Sequence, residues 1–329
     1  MTSSADDDFD RLTRPYRREL LAHCYRMLGS TQEAEDLLQE CLLRAWRSMS
    51  TYDAGKSSLR TWLYRIATNA CLTALETRRR RPLPAGLFAA SNDLAAPLLP
   101  DLDVPWLQPF PDHMPAGDPA GAAVGRESLS LAFMAALQTL SARQRAVLIL
   151  REVLQFPAAE VAALLDVSVA AVNSGLQRAR AALRLNPVDR EALSMPAEPD
   201  RRAVLDRYIT AFERADLTAL TAILRADVRL EMPPVPLWYA GRENYLGFMR
   251  RIYQLRPVWR ALPISANGQP ALAAYALGAL DEFRAHSVQV LDVRAGLVTH
   301  NVTFADPALF PLFGLPPTLP QDHPMTGHH

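Results

Sequence analysis

From Pro82 to Gly125 the chain carries nine prolines, four glycines and five aspartates, without one lysine or arginine. Each proline removes a backbone donor and crowds the preceding turn, so this stretch cannot sustain regular helix and reads as a linker. Everything that packs a core must do so on either side of it. At roughly 100–200 residues per domain, a chain of 329 residues holds two or three such units.

The formal net charge of zero conceals an asymmetry once the chain is divided there. Residues 1–81 hold 14 basic and 11 acidic groups, 82–125 hold 0 and 5, 126–190 hold 8 and 5, and 191–329 hold 13 and 14. Two mildly basic blocks flank an acidic one, a pattern that can accompany nucleic-acid contact but also arises by chance. A hydrophobic fraction of 49% with 21% charged residues excludes a mostly disordered chain. No apolar run approaches the roughly 18 residues that span a bilayer. The N-terminus (Asp6, Asp7, Asp8, Asp10) is acidic where a signal peptide would be basic and then apolar. The expectation is a cytoplasmic protein with no membrane association. Cys24, Cys41 and Cys71 are odd in number and widely spaced, which suits buried reduced thiols rather than a disulfide framework or metal cluster. No metal or cofactor is implied.

Helical period marks three segments before the linker. These are Leu12 to Leu28, Thr31 to Met49 (begun by Ser30 with Glu33) and Ser58 to Arg81. Their apolar stripes assign Trp46 and Trp62 to the interior. After the linker come Glu127 to Leu140, then Arg143 to Leu154 behind a Ser141/Gln144 capping box, Ala158 to Leu165, and Val169 to Leu185. The remainder is mixed. Helices are expected around Arg201 to Arg214, Leu217 to Leu224 and Glu243 to Gln254, and strands over Ser287 to Val293 and Leu297 to Phe304, joined at Ala295-Gly296. The expected organisation is multidomain: all-α units over 1–81 and 126–186, linkers over 82–125 and 187–199, an α+β unit with a curved antiparallel sheet over 200–313, and a tail over 314–329.

Ala158 to Gln177 fits a helix-turn-helix. Val161 and Leu165 point inward, Ala162 permits close crossing, Val167 plugs the turn and Val172 anchors the second helix. Asp166 stands where glycine is usual, and Asp tolerates a left-handed conformation better than most residues. The second helix offers Val169, Ala170, Asn173, Ser174, Gln177, Arg178 and Arg180 outward. Amide side chains can read adenine edges, small apolar ones meet thymine methyls, and arginines grip guanine or phosphate. A plain packed helical pair is the competing reading.

Three motifs in order resemble bacterial RNA polymerase sigma factors of the extracytoplasmic-function class. They are Ala34-Glu-Asp-Leu-Leu-Gln-Glu-Cys-Leu-Leu-Arg-Ala-Trp46, Leu59-Arg-Thr-Trp-Leu-Tyr-Arg-Ile-Ala-Thr-Asn-Ala70 with the Arg78 to Arg81 run, and Leu140-Ser-Ala-Arg-Gln-Arg-Ala-Val-Leu leading into the helix-turn-helix. The resemblance makes residues 14–81 region two and about 127–185 region four. It implies core RNA polymerase and promoter DNA as partners. Asp36, Leu37, Gln39, Glu40, Leu43 and Arg44 become the polymerase-docking face. Tyr52, Lys56, Arg60, Tyr64, Arg65, Thr68, Asn69, Arg78, Arg79, Arg80 and Arg81 become contacts to the melted minus-ten strand. The Val169 helix becomes the minus-35 reader. The linker, with Asp93, Asp101, Asp103, Asp112 and Asp118, would thread basic channels of the polymerase; a mere tether is the alternative.

Residues 200–313 resemble the SnoaL-like branch of the NTF2-like fold, through Met232-Pro-Pro, Trp238-Tyr-Ala-Gly-Arg-Glu243, Ala266-Asn-Gly-Gln-Pro-Ala271 and the closing strands. That implies a cone-shaped domain that regulates the sigma regions. Asp227, Glu231, His286 and His300 are candidate proton-transfer groups, and Trp238, Tyr239 and Tyr275 candidate lining for a small-molecule ligand. A lone strand histidine is more often structural. The leading expectation is a sigma factor and not an enzyme, ahead of a DNA-binding regulator with a ligand-sensing domain and of catalysis by the C-terminal domain.

Overall fold

The computed structural model describes residues 3–77, 79–112, 129–185, 198–279 and 281–325. Two compact units take alternating pieces of chain, Met1–Arg81 with Met114–Leu193, and Pro82–His113 with Ser194–His329.

The first unit is helical. It contains α1 (Ser3–Thr13), α2 (Arg17–Leu28), α3 (Thr31–Ser48) and α4 (Leu59–Glu76). Pro15 interrupts the period that predicts one helix through Leu12, and a 3-10 turn over Arg14–Tyr16 separates α1 from α2. Gly29 closes α2 at φ 74°, and Ser30 opens α3 by accepting the Glu33 N–H at 3.2 Å. The three cysteines are free and buried among these helices, where the Cys24 thiol hydrogen-bonds with Cys41 and Cys71. Donation to Cys24 and burial raise the Cys41 thiol far above its ordinary range, which leaves it inert.

The same unit holds α5 (Leu131–Thr139), α6 (Ala142–Leu148), α7 (Ala158–Leu165) and α8 (Val169–Leu185). The helix expected to run on to Leu154 widens into a π turn over Ile149–Val153. Arg145 of α6 is buried and donates to the Met27 carbonyl and, at 3.3 Å, to that of Leu140. The Met27 carbonyl belongs to the last turn of α2, where the helix end is partially negative, so the cation is placed at a favourable pole. Desolvation still draws the Arg145 pKa down to about 10.

The second unit contains α9 (Glu198–Glu213), α10 (Leu217–Ile223) and α11 (Arg242–Leu255). Its strands are β1 (Leu224–Glu231), β2 (Trp238–Ala240), β3 (Trp259–Ala266), β4 (Gln269–Leu277), β5 (Phe283–Arg294), β6 (Leu297–Phe304) and β7 (Thr318–Leu319). The sheet runs β2-β1-β6-β5-β4-β3, with β7 on β5 and β1 parallel to β6. Two hairpins turn on paired left-handed residues, Asn267-Gly268 (φ 57° and 69°) and Ala295-Gly296 (φ 47° and 75°).

Strand alternation divides the sheet's side chains between two faces. Val228, Leu230, Leu272 and Leu291 join the core beneath the helices, with Tyr208, Phe212, Tyr245 and Phe248. Glu231, Ala271, Val288, Val290 and Val302 are buried on the opposite face. Residues 82–112 lie against this second unit and do not hang between domains. The Ser91 N–H reaches the Trp238 carbonyl at 2.9 Å, the Asp101 N–H that of Pro234 at 2.9 Å, and Phe110 and Asn267 bond reciprocally at 2.8 Å. Proline content showed only that this segment forms no helix. It is ordered because its extended backbone meets groups on the sheet's edges and turns, while Leu83, Trp106, Leu107 and Phe110 find apolar burial.

Among the described residues no single helix is long and apolar enough to cross a membrane. No group of three or more His, Cys, Asp or Glu among them is arranged to hold a metal ion.

Candidate nucleic-acid interface

Asp166 ends α7 in the left-handed conformation (φ 51°, ψ 54°), so Asp does here what glycine usually does. The Val167 N–H returns to the Ala162 carbonyl at 3.0 Å, and Ser168 Oγ accepts the Ala171 N–H at 3.1 Å. Val161, Leu164, Val172, Leu176 and Ala179 close the interior. Leu165, expected inside, is only half-buried. Gly175 faces α6, where a Cβ would sit in ordinary contact with Val147 Cγ2 at 3.6 Å. With that side consumed by packing, Val169, Ala170, Asn173, Gln177, Arg178 and Arg180 are exposed and Ser174 half-buried. Arg178 donates to Ser174 Oγ at 2.5 Å, and Arg180 pairs with Glu152 at 2.5 Å. Both guanidiniums are therefore held along the helix surface without being buried.

On α3 the residues Asp36, Gln39, Glu40, Leu43 and Arg44 form one exposed face, with Arg44 bonded to Glu40 at 2.5 Å. Leu37, expected on that face, points inward and is buried. Trp46, expected inside, is 47% exposed beside Leu43 at 46%. Position 46 lies at the margin of the apolar stripe, which leaves the indole half in solvent. A face mixing two large apolar groups with paired charges suits a protein partner better than solvent alone.

Helix α4 departs further from expectation. Tyr64 and Thr68, expected on its exposed side, are fully buried. The reason is that α4 is packed on two sides. Thr68 Oγ1 lies 2.9 Å from His23 Nε2 of α2, while the Tyr64 ring meets Phe156, just ahead of α7, at 5.2 Å between centroids. Arg60 is bidentate on Glu19 (3.0–3.1 Å) and lies between the Tyr64 and Phe156 rings, 4.9 and 4.7 Å from their centroids. Thr61 donates to Glu160 of α7 at 3.2 Å. Arg65, Asn69, Arg79 and Arg80 are exposed, and Arg81 is largely buried on Glu33 at 2.7 Å. Arg78 and Asp118 lie outside the described residues. In the loop before α4, Tyr52 leans on Trp62 at 5.3 Å and donates to the Ser57 carbonyl, and Lys56 is exposed beside Asp53 at 3.6 Å. Phe156 and Glu19 carried no sequence signal, since their role depends on contacts between distant segments.

The seven C-terminal candidates do not converge on one pocket. Asp227 is exposed and paired with Arg225. Tyr275 packs on Phe310 and donates to the Pro316 carbonyl, and Trp238 donates to that of Phe88. Tyr239 packs on Phe248, and His286 on Trp259. Burial, reinforced by Arg256, pushes the His286 pKa down to about 4. His300 is not alone, because its Nε2 lies 2.8 Å from the buried Glu231 carboxylate, whose other oxygen accepts the Ala85 N–H at 2.7 Å. The helix side holds a polar cluster missed in the sequence. Asn301 Nδ2 lies 2.7 Å from Tyr245 Oη, 2.9 Å from Tyr208 Oη and 3.1 Å from Gln289 Oε1, so its two N–H groups are shared among three acceptors. Gln289 and Asn301 carry one face of adjacent strands, and polar residues at alternate strand positions are the signal that marks them.

Comparison with known proteins agrees with this arrangement. Residues 12–81 match Sigma-70 region 2, 130–183 match Sigma-70 region 4, and 205–301 match the SnoaL-like domain. The ECF RNA polymerase sigma factor SigG of Mycobacterium tuberculosis is 51% identical over 320 residues, covering 95% of this chain and 85% of the relative. The ECF RNA polymerase sigma factor SigJ of the same organism is 30% identical over 213 residues, covering 64% and 61%. The crystal structure of SigJ matches with a TM-score of 0.61 at 24% identity, over 91% of this chain and 97% of that one, a likeness of fold.

Proposed function

Because this chain belongs to the extracytoplasmic-function RNA polymerase sigma factors, which bind core polymerase and direct promoter-specific initiation, we infer that its described surfaces divide that work. Helix α8 enters the minus-35 major groove with Asn173 and Gln177 toward base edges and Arg178 and Arg180 toward guanine or phosphate. To reach phosphate, Arg180 exchanges Glu152 for the backbone. The α3 face from Asp36 to Arg44, widened by Leu43 and Trp46, docks on the polymerase. Lys56, Arg65, Asn69, Arg79 and Arg80 hold the melted minus-ten strand, with Tyr52 as a stacking surface. Arg60 and Tyr64 join them only when the segment around Phe156 moves aside.

The observation that carries this reading is the exposed outward side of α8, whose opposite side is consumed by packing. Bond making belongs to the polymerase, and the C-terminal domain regulates. Its titratable candidates are dispersed over the edge and both faces of the sheet, which supports regulation over catalysis. The protein works where the polymerase does, in the cytoplasm. Run-off transcription tests the reading: core enzyme with this protein initiates at a cognate promoter, and core enzyme alone does not. Equal initiation with and without the protein refutes it.

A further inference from the structure

The segment 82–112 does more than rest on the C-terminal domain, because it closes on itself. The Leu107 N–H donates to the Pro82 carbonyl at 3.1 Å, so the 24 residues of chain between these two points add nothing to the distance the chain can cover. Between its ends the loop is pinned along the sheet's edge. Arg251 of α11 donates to the Leu94 and Ala96 carbonyls at 2.8 and 2.7 Å, Tyr239 Oη to that of Asp93 at 3.0 Å, and Trp238 Nε1 to that of Phe88 at 2.8 Å. Glu231 receives the Ala85 N–H. Side chains of the C-terminal domain thus grip mostly main-chain groups, the mode of recognition suited to an extended peptide.

This loop separates the two DNA-reading modules, since region two ends at Arg81 and α5 begins at Leu131. With the loop seated, the connection runs effectively from Leu107 to Leu131, 24 residues, and reaches at most roughly 80–85 Å. Released, it runs from Pro82 to Leu131, 49 residues, and reaches roughly 160–175 Å. The two promoter elements lie about 25 base pairs apart, ~85 Å along the duplex. Deducting ~12 Å for each module's radius, engagement of both draws the seated tether to about three quarters of its limit and the released one to about a third. A tether of half the length also raises the effective concentration of one module at the other by about threefold. That favours the packed state in which Phe156 covers Tyr64 and Arg60 of α4.

We propose that the C-terminal domain is a length regulator: it withholds chain from the region two to region four connection by clasping residues 82–107, and promoter engagement draws that loop off the sheet. The proposal rests on the sigma reading above, but its readout is separate. Hydrogen exchange of the full-length protein, free and in a promoter complex with core polymerase, measures the amides of residues 82–107 directly, while run-off transcript in the same preparation reports the sigma reading. The expected result is protection in the free protein that falls at least tenfold in the complex. Protection retained in a transcribing complex overturns the proposal. Arg251→Ala removes two of the anchoring bonds and is expected to speed exchange of the loop and lower by about threefold the protein concentration needed for half-maximal promoter complex. Trp238→Phe, which removes one indole donor, provides the same test should the first variant fold poorly. Faster loop exchange without a gain in promoter complex formation, in either variant, refutes the coupling.

Discussion

Acidification should loosen region two through a single side chain. His23 of α2 is completely buried, with Nε2 2.9 Å from Thr68 Oγ1 and the ring edge-on to Tyr64 at 5.1 Å between centroids. Among the described residues its Nδ1 has no hydrogen-bond partner, so a proton added there would be a buried donor with none of them to receive it. Desolvation, reinforced by the charges of Arg26 and Arg60, holds the pKa down to about 3. In the unfolded chain it returns to about 6.5. The folded state thus keeps the ring neutral while the unfolded state takes up a proton. The stability associated with the neutral ring is fully present above pH 6.5 and is lost progressively as pH falls from there toward 3. At pH 5 the loss is about 2 kcal/mol, a factor of about thirty in the opening equilibrium. Native-state hydrogen exchange of the α2 and α4 amides at pH 7 and pH 5, corrected for intrinsic rates, reads this unit independently of the sheet. His23→Gln does not titrate and keeps an amide able to face Thr68, so it should lose about 2 kcal/mol less than the parent between the two pH values. Parallel losses in parent and variant would refute the argument.

Three further outcomes test other parts of the molecule. Asn301→Ala strips a shared donor from Tyr208, Tyr245 and Gln289, and should lower the stability of the C-terminal domain by about 2–4 kcal/mol in denaturant titration; a loss under about 1 kcal/mol would show that the cluster satisfies itself without it. Leu43→Glu with Trp46→Ala should weaken core polymerase binding about tenfold or more at unchanged helix content, and unchanged affinity would remove this face from the docking surface. Asn173→Ala should relax preference at one minus-35 base by about 1–3 kcal/mol, whereas Arg178→Ala should weaken binding to many sequences and lower its salt dependence if that residue grips phosphate. Base-selective loss for Arg178→Ala would assign it to guanine.

The helix-turn-helix was readable from the sequence because its determinants are local. Val161, Ala162, Asp166, Ser168 and Val172 set caps, a left-handed turn and an inward stripe within fifteen residues, and the exposed side of α8 follows from that stripe. The same logic located the hairpin at Ala295-Gly296 and the caps at Ser30 and Ser141. It failed for Tyr64, Thr68 and Trp46, since a periodic stripe identifies one packed side of a helix but not whether a second element covers the other. For α4 such an element exists, the segment around Phe156; Trp46, at the margin of its stripe, is left 47% exposed.

Sequence alone determined the caps at Ser30 and Ser141, the left-handed turns at Asp166 and Ala295-Gly296, and which side of α8 is left outward, because backbone sterics, capping and side-chain period act over a few residues. Tertiary structure alone decided that Pro82 meets Leu107, that Arg251 holds Leu94 and Ala96, and that Glu231 joins His300 to Ala85. Those pairings close loops of tens to more than a hundred residues. A polar group of one residue can meet any of many equivalent backbone groups elsewhere, and only the shape of the packed sheet selects which.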